Sequence, residues 1–423
     1  RGGERRASHP PGVQPHLLGG DADERANHAG GSGRWRGEQV DATEGSSLRR
    51  RVGPEVPDVE RRDAPFRREP AQFEKFNRHN RSLFDAHLQS IVAYAWFYPV
   101  IEILSAVAIA LIAVRVNLRF WSLDTVGSDT YYSWVEGRRI LDGQNPYERI
   151  LRGNMEENRK YATYFPLFYE LSAFVQKMGV RQYQEWIEFW RYIFMAGNIG
   201  VGLALCAVIH SKRMWPLALL ALPFWYFNRW TLHASATVAL DFVPIFFMIL
   251  SLGLHRKHRK TSLLLFGLSL AFKQIAIFLA PLYLVWEFQE TRSWRKTFVA
   301  GVWIVLIPLI VSVPFLFWNA EGFVKSITFS ATRTALNHFG AESIDVIFNA
   351  SGLLARIPFL LMLFGVYFTA WQRSVGRYGA AMLVMGVFLA FNSVLFTHYP
   401  AWLMPLLPLA ASEWMNPAGE NLE

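Results

Sequence analysis

Cysteine is almost absent from this chain: Cys206 is the only one among 423 residues. That excludes an intrachain disulfide and a cysteine-built metal site, and its place in an apolar run reads as a small core residue. No Gly-x4-Gly-Lys-Ser/Thr phosphate loop occurs, so nothing offers the backbone cradle that ATP chemistry requires. Charge is sparse as well. Charged residues make up 18% of the chain against 52% hydrophobic and 15% aromatic, a balance foreign to a water-soluble enzyme of two or three domains. No tandem repeat is visible, and the apolar segments differ in length and pattern, which argues against a solenoid or a duplicated transporter.

What is present points to helices in a membrane. The apolar residues fall in long blocks, several interrupted by Pro or Gly. A net charge of +9 would suggest nucleic acid in a soluble protein. Here the cations cluster in the N-terminal region and in short loops between apolar blocks, so no nucleic-acid partner is expected. The expected fold is all-α: a polytopic helical protein of the inner (plasma) membrane, with about 9–11 segments, some short or re-entrant.

Three regions follow from composition. Residues 1–70 are rich in Arg, Gly, Pro, Asp and Glu, and are predicted to be a disordered basic tail. This tail resembles neither a signal nor a transit peptide, and its Arg start suggests a fragment or a misassigned beginning. Residues 71–114 read as an amphipathic helix leading into a first span, Ile91 to Ala113. Residues 115–423 form the main membrane domain. Its inside markers are His255 to Lys260, then Arg292, Arg295 and Lys296, then Arg373 and Arg377, with Lys212 and Arg213 weaker. Two crossings fit between Lys212 and His255, with Asn228, Arg229 and His233 at the far turn. Residues 297–318 run outward, and a polar stretch from Asn319 to Ser351 follows outside. Spans at 352–372 and 378–396 come next, and a last apolar run goes from Pro400 to about Trp414.

Two segments do not fit whole spans. Residues 262–288 lie between two inside loops yet are too short for two crossings of about 20 residues each. The charge pattern therefore predicts two half-helices meeting at Lys273-Gln274, tolerated only where the break is buried or lines a wet cavity. Tyr164–Val180 poses the same problem if Lys212-Arg213 lies inside: either it is re-entrant or that weaker marker misleads.

The polar stretch Gly127–Pro146, between two apolar segments, carries the first candidate chemistry. Asp129 stands two residues before Tyr131 and Tyr132. The topology puts it on one face with Arg229, His233, Lys273, the stretch around His338, and Thr397-His398-Tyr399. A carboxylate beside several cations at a membrane surface suits transfer from an anionic lipid: the carboxylate takes a proton from an attacking hydroxyl and the cations stabilise a departing phosphate. Each residue has a plainer role available. Asp129 is equally able to serve as a helix cap, with Asp124 its nearest competitor. Asp241 is as suited to pairing with a neighbouring helix as to touching substrate. Tyr131 and Tyr132 fit interfacial anchors. The DxD spelling Asp21-Ala-Asp23 lies in the tail and is chance.

Several short motifs occur in order: Asp129-x-Tyr131-Tyr132, the Gly143-x-Asn145-Pro146-Tyr147 turn, Tyr164-Phe165-Pro166-Leu167, Phe272-Lys273 ahead of Pro281, and His398-Tyr399 before Trp402-Leu403-x-Pro405. Together they make residues 115–423, and most clearly the part after Ser122, resemble a GT-C glycosyltransferase. The nearest likeness is to glycosyltransferase family 87, the polyprenol-phosphate-mannose-dependent mannosyltransferases and their relatives. Phe165-Pro166 departs from the Tyr-Pro-Pro usual there. Separately, residues 66–113 resemble a fragment of an ABC exporter membrane domain, which raises a transporter or partial exporter subunit as the alternative. The GT-C resemblance implies inverting transfer of a hexose from a polyprenyl-phosphate sugar, without metal or other cofactor, to a glycolipid or glycan acceptor on the extracytoplasmic side. It implies Asp129 as general base and Lys273 as the phosphate ligand. Arg229, His233, His398, Tyr399 and Tyr132 are the further substrate-binding candidates.

Overall fold

The computed structural model describes residues 69–121, 123–153, 155–157, 159–212, 214–332, 344–348, 356–392 and 395–416. The tail up to residue 68 and the stretch around His338 lie outside them. The described chain is all-helical, with no strand. Residues 69–76, the start of the first helix, belong to a separate compact unit, and the sites described below lie in the unit from Asn77 onward.

Helix α1 runs from Glu69 to Leu118, α2 from Asp129 to Leu141, α3 from Leu167 to Lys177 and α4 from Tyr183 to Ser211. Then come α5 (Trp215–Phe227), α6 (Arg229–Ala236), α7 (Phe242–Leu254), α8 (Arg259–Phe272) and α9 (Ala280–Thr291). The chain ends with α10 (Trp294–Thr332), α11 (Ile344–Ile347), α12 (Ile357–Trp371), α13 (Arg377–Phe391) and α14 (Leu406–Met415). Among the described residues, three helices are long and apolar enough to cross a membrane: Ala71–Leu118, Tyr183–Ser211 and Trp294–Phe329. Shorter apolar helices are Trp215–Phe227, Phe242–Leu254, Ile357–Trp371 and Arg377–Phe391.

Close helix contacts rest on small residues and buried hydroxyls. A Cβ at Gly267 of α8 would overlap the Ile304 carbonyl of α10, and one at Gly202 of α4 would overlap the Tyr226 ring of α5. Without those side chains the backbones can approach, which gains dispersion contact. Ser269 Oγ donates to the Pro244 carbonyl at 2.7 Å, tying α8 to α7. Ser251, Ser262 and the Tyr283 hydroxyl close a buried polar knot among α7, α8 and α9.

The amphipathic segment and the first span lie on the one helix Glu69–Leu118, which continues through Pro99. One boundary differs from the sequence reading. The segment after Asn319, read as an outside polar stretch, stays helical to Thr332; Asn319 itself leaves helical geometry (φ −161°, ψ 93°) and marks a kink. Its side chain then accepts from the Gly322 N–H at 2.9 Å and restarts the helix. The predicted break at Lys273-Gln274 is present: α8 stops at Phe272, Lys273 is extended, and a 3-10 turn from Gln274 to Leu279 leads into α9. Between Tyr164 and Val180 only the eleven-residue α3 forms, with Phe168, Ser172 and Gln176 among its buried residues.

Candidate active site

The site begins at a helix start. Ser128 caps α2 by accepting from the Tyr131 N–H at 3.2 Å, which puts Asp129 at the first helical position. A carboxylate there is favoured by the free N–H groups and the helix dipole. Next to it, Thr130 donates its hydroxyl proton to the Val238 carbonyl at 2.6 Å. Val238 sits at φ +50°, a left-handed geometry that is strained for a β-branched side chain. This turn delivers Asp241 to the head of α7, so one hydrogen bond registers the two carboxylates against each other.

Those carboxylates alternate with two lysines. Lys160 binds Asp129 Oδ1 directly, while the Tyr164 hydroxyl donates to Oδ2 at 2.7 Å. Lys273 Nζ lies 3.5 Å from the same Oδ2 and 2.9 Å from both Asp241 oxygens. Trp402 Nε1 donates to Asp241 Oδ1 at 2.6 Å, and His398 Nε2 stands 3.7 Å from Oδ2. Lys273 is fully buried. The Tyr164 and Tyr399 rings lie beneath its ammonium, with centroids 5.1 and 5.5 Å away. An isolated charge would be very costly here; two carboxylates and two ring faces compensate it.

Electrostatics sets the protonation states. Burial alone would raise the Asp129 carboxyl, but Lys160, Lys273 and the Lys160 hydrogen bond outweigh it and hold the group well below the ordinary carboxylate range. Asp129 is therefore ionised at neutral pH. Burial, then Asp129, pushes the Tyr164 phenol well up and keeps it a donor. Burial lowers His398 against the pull of Asp241, which leaves a neutral imidazole. Its Nε2 is buried without a hydrogen-bond partner.

Lys160 is placed by a second charged network. Arg149 donates to the Lys160 carbonyl at 2.8 Å while pairing with Glu136 on α2 and with Glu157. Arg139 binds the same Glu157 oxygen at 3.2 Å. The Gly143–Tyr147 turn starts this loop: Gly143 is left-handed at φ +73°, and Asn145 Oδ1 accepts from the Tyr147 N–H at 3.0 Å, an Asx turn. Tyr147 is fully buried and its hydroxyl donates to the Tyr164 carbonyl at 2.7 Å. The loop is thus pinned at both ends of its run to Tyr164.

Of the residues predicted for the site, Asp129, Lys273, His398 and Tyr399 come together. His233 is exposed, and its Nε2 meets the Thr397 hydroxyl at 2.6 Å, one residue from His398. Arg229 is exposed and lies over its neighbour Trp230. Tyr132 packs edge-on against Tyr131. Asp124, the competing acid, is exposed and caps a local turn at Val126 N. Sequence reasoning missed Lys160, Arg149 and Glu136. The only signal was the density of charge between Arg149 and Lys160. Among the described residues, no three His, Cys, Asp or Glu side chains are grouped to hold a metal ion. No family model and no curated protein sequence matches the chain.

Proposed function

We propose that the chain is a multi-pass membrane glycosyltransferase of the GT-C class. It would move a hexose, with mannose the first candidate, from a polyprenyl-phosphate sugar to a lipid or glycan acceptor on the extracytoplasmic face. One observation carries the reading: an ionised carboxylate at a helix start, Asp129, is held between two ammonium groups and a phenol.

The chemistry suits those groups. The acceptor oxygen attacks the anomeric carbon as the bond from that carbon to the phosphate oxygen breaks, and the phosphate leaves with the electron pair. Asp129 takes the hydroxyl proton, and a lysine ammonium offsets the charge on the phosphate. Lys273 is wholly buried with two carboxylate partners, so it is better suited to positioning Asp129 and Asp241. Lys160 retains about a fifth of its side-chain surface and is the ammonium we assign to the phosphate. A phosphate that draws Lys160 away also removes the main influence lowering Asp129, and the base strengthens when it is needed.

Purified protein given a polyprenyl-phosphate mannose and a membrane glycolipid acceptor should transfer the sugar. Asp129→Asn should lower turnover at least ~100-fold, the lower bound for a general base, with unchanged elution and helicity. Retained turnover in that variant would remove Asp129 from the role.

A further inference from the structure

The far end of α8 from Lys273 is built differently. There α8, α9 and α10 leave an open groove of about 510 Å³. Fourteen residues of helix separate Arg259 from Lys273, about 21 Å of rise, so the groove is distinct from the charged cluster. Arg259 and Lys260 on α8 and Arg295 and Lys296 on α10 line it, against one carboxylate, Glu287 of α9. Arg259 is held by Glu287 at 3.6 Å and by Glu290. Lys260, Arg295 and Lys296 are exposed and form no ion pair among the described residues.

Polarity changes along the groove within one helical turn. Leu263 stands four residues after Arg259, and Val299 and Trp303 stand four and eight after Arg295, so each helix offers cations first and apolar surface next on the same face. The apolar side continues outward: Phe298, Val302, Val305 and Leu309 of α10 are all exposed, on a helix apolar enough to cross a membrane. Trp294 is exposed beside the cations, as aromatic residues are at a membrane–water boundary. Deep in the groove, Glu287 is 6% exposed and its Oε2 has no hydrogen-bond partner. A solvated basic loop would need neither the apolar wall nor an unpaired buried oxygen that accepts a hydrogen bond.

We infer that this groove binds an anionic glycerophospholipid with a hydroxyl on its headgroup. The phosphate meets Lys260, Arg295 and Lys296, the headgroup hydroxyl donates to Glu287 Oε2, and an acyl chain lies along Val299 and Trp303. The site is independent of the transferase reading, and its test does not use that activity.

Full-length protein in neutral detergent would be titrated with phosphatidylglycerol and with phosphatidylcholine, counting retained lipid by native mass spectrometry. One phosphatidylglycerol per protein should persist, in at least tenfold preference to phosphatidylcholine. The triple variant Lys260→Gln, Arg295→Gln, Lys296→Gln should weaken retention at least tenfold. Val299→Trp, which fills the groove and keeps every cation, should do the same. Arg256→Gln with Lys257→Gln, removing nearby exposed charge, should leave it unchanged. The proposal fails if phosphatidylcholine binds as well, if the Arg256/Lys257 variant loses as much lipid (diffuse surface attraction), or if millimolar inorganic phosphate displaces the lipid (a free-anion site). The lipid comparison and the phosphate competition use the unmodified protein, so they decide even if a variant does not fold.

Discussion

The two ends of α8 use cations in opposite ways. At Lys273 every charge is buried or half-buried and answered: lysine, aspartate, lysine and aspartate alternate, and ring faces cover what the carboxylates leave. At Arg259 three of four groove cations stand exposed without ion pairs beside an apolar wall. Burial explains the contrast. A charge removed from water must be compensated inside the protein or it destabilises the fold, while a charge at a surface keeps its hydration and remains available to a ligand. The first end fixes geometry, and the second can wait for a partner.

The comparison breaks most severely at Lys273. Lys273→Met leaves Asp241 and Asp129 buried without their shared cation, and the expected loss is about 3–5 kcal/mol of stability. Thermal unfolding in detergent should show it as a large fall in Tm. Adding Asp241→Asn should recover part of that loss, because the uncompensated carboxylate goes too; a double variant less stable than the single one would mean that Lys273 is not held by this pairing. The three exposed groove cations, Lys260, Arg295 and Lys296, are the control, since removing each should shift stability by no more than about 0.5 kcal/mol.

A smaller effect is expected at Arg149. Arg149→Ala removes the donor to the Lys160 carbonyl and the buried ion pair with Glu136, while Arg139 stays 3.6 Å from the same carboxylate. Losing that buried pair should cost about 1–3 kcal/mol. A positioning role also predicts a change beyond stability: KM for a phosphate-bearing donor should rise more than kcat falls, with partial recovery in Arg149→Lys. Equal stability of variant and parent would take Arg149 out of the loop's support.

How much of this was legible depended on whether a signal was local. The break at Lys273 was readable because a charge in an apolar run between two basic loops leaves few alternatives, and α8 does stop at Phe272. Asp129 stood out as the acid opening a polar stretch, and His398-Tyr399 as polar residues before an apolar run. Lys160 did not stand out, because Arg149, Arg152, Arg159 and Lys160 crowd one loop and nothing in their order says which turns inward. That choice is made by Arg149, Glu136 and Glu157 after the loop folds back over α2. Asp241 was ambiguous for a related reason, as its partners lie 32 residues away at Lys273 and 161 away at Trp402. Arg229 and His233, expected at a far turn, lie instead on the short helix α6, and both side chains are exposed.

Because the cluster's charges alternate, it is close to neutral before any ligand arrives, with Asp129 and Asp241 set against Lys160 and Lys273 and with His398 uncharged. An entering anion would therefore create a net negative site, and the group able to answer it is the imidazole that burial keeps deprotonated. Binding and proton uptake become thermodynamically linked. A ligand that raises the His398 pKa is bound more tightly as pH falls toward the ordinary histidine range, and that gain disappears as pH rises through the ligand-bound pKa. Calorimetric titration of a non-transferable polyprenyl phosphate in two buffers of different ionisation enthalpy would report the proton directly, and His398→Gln should abolish the uptake. A site that looks electrically quiet would then be one that takes in a proton with each anion it accepts.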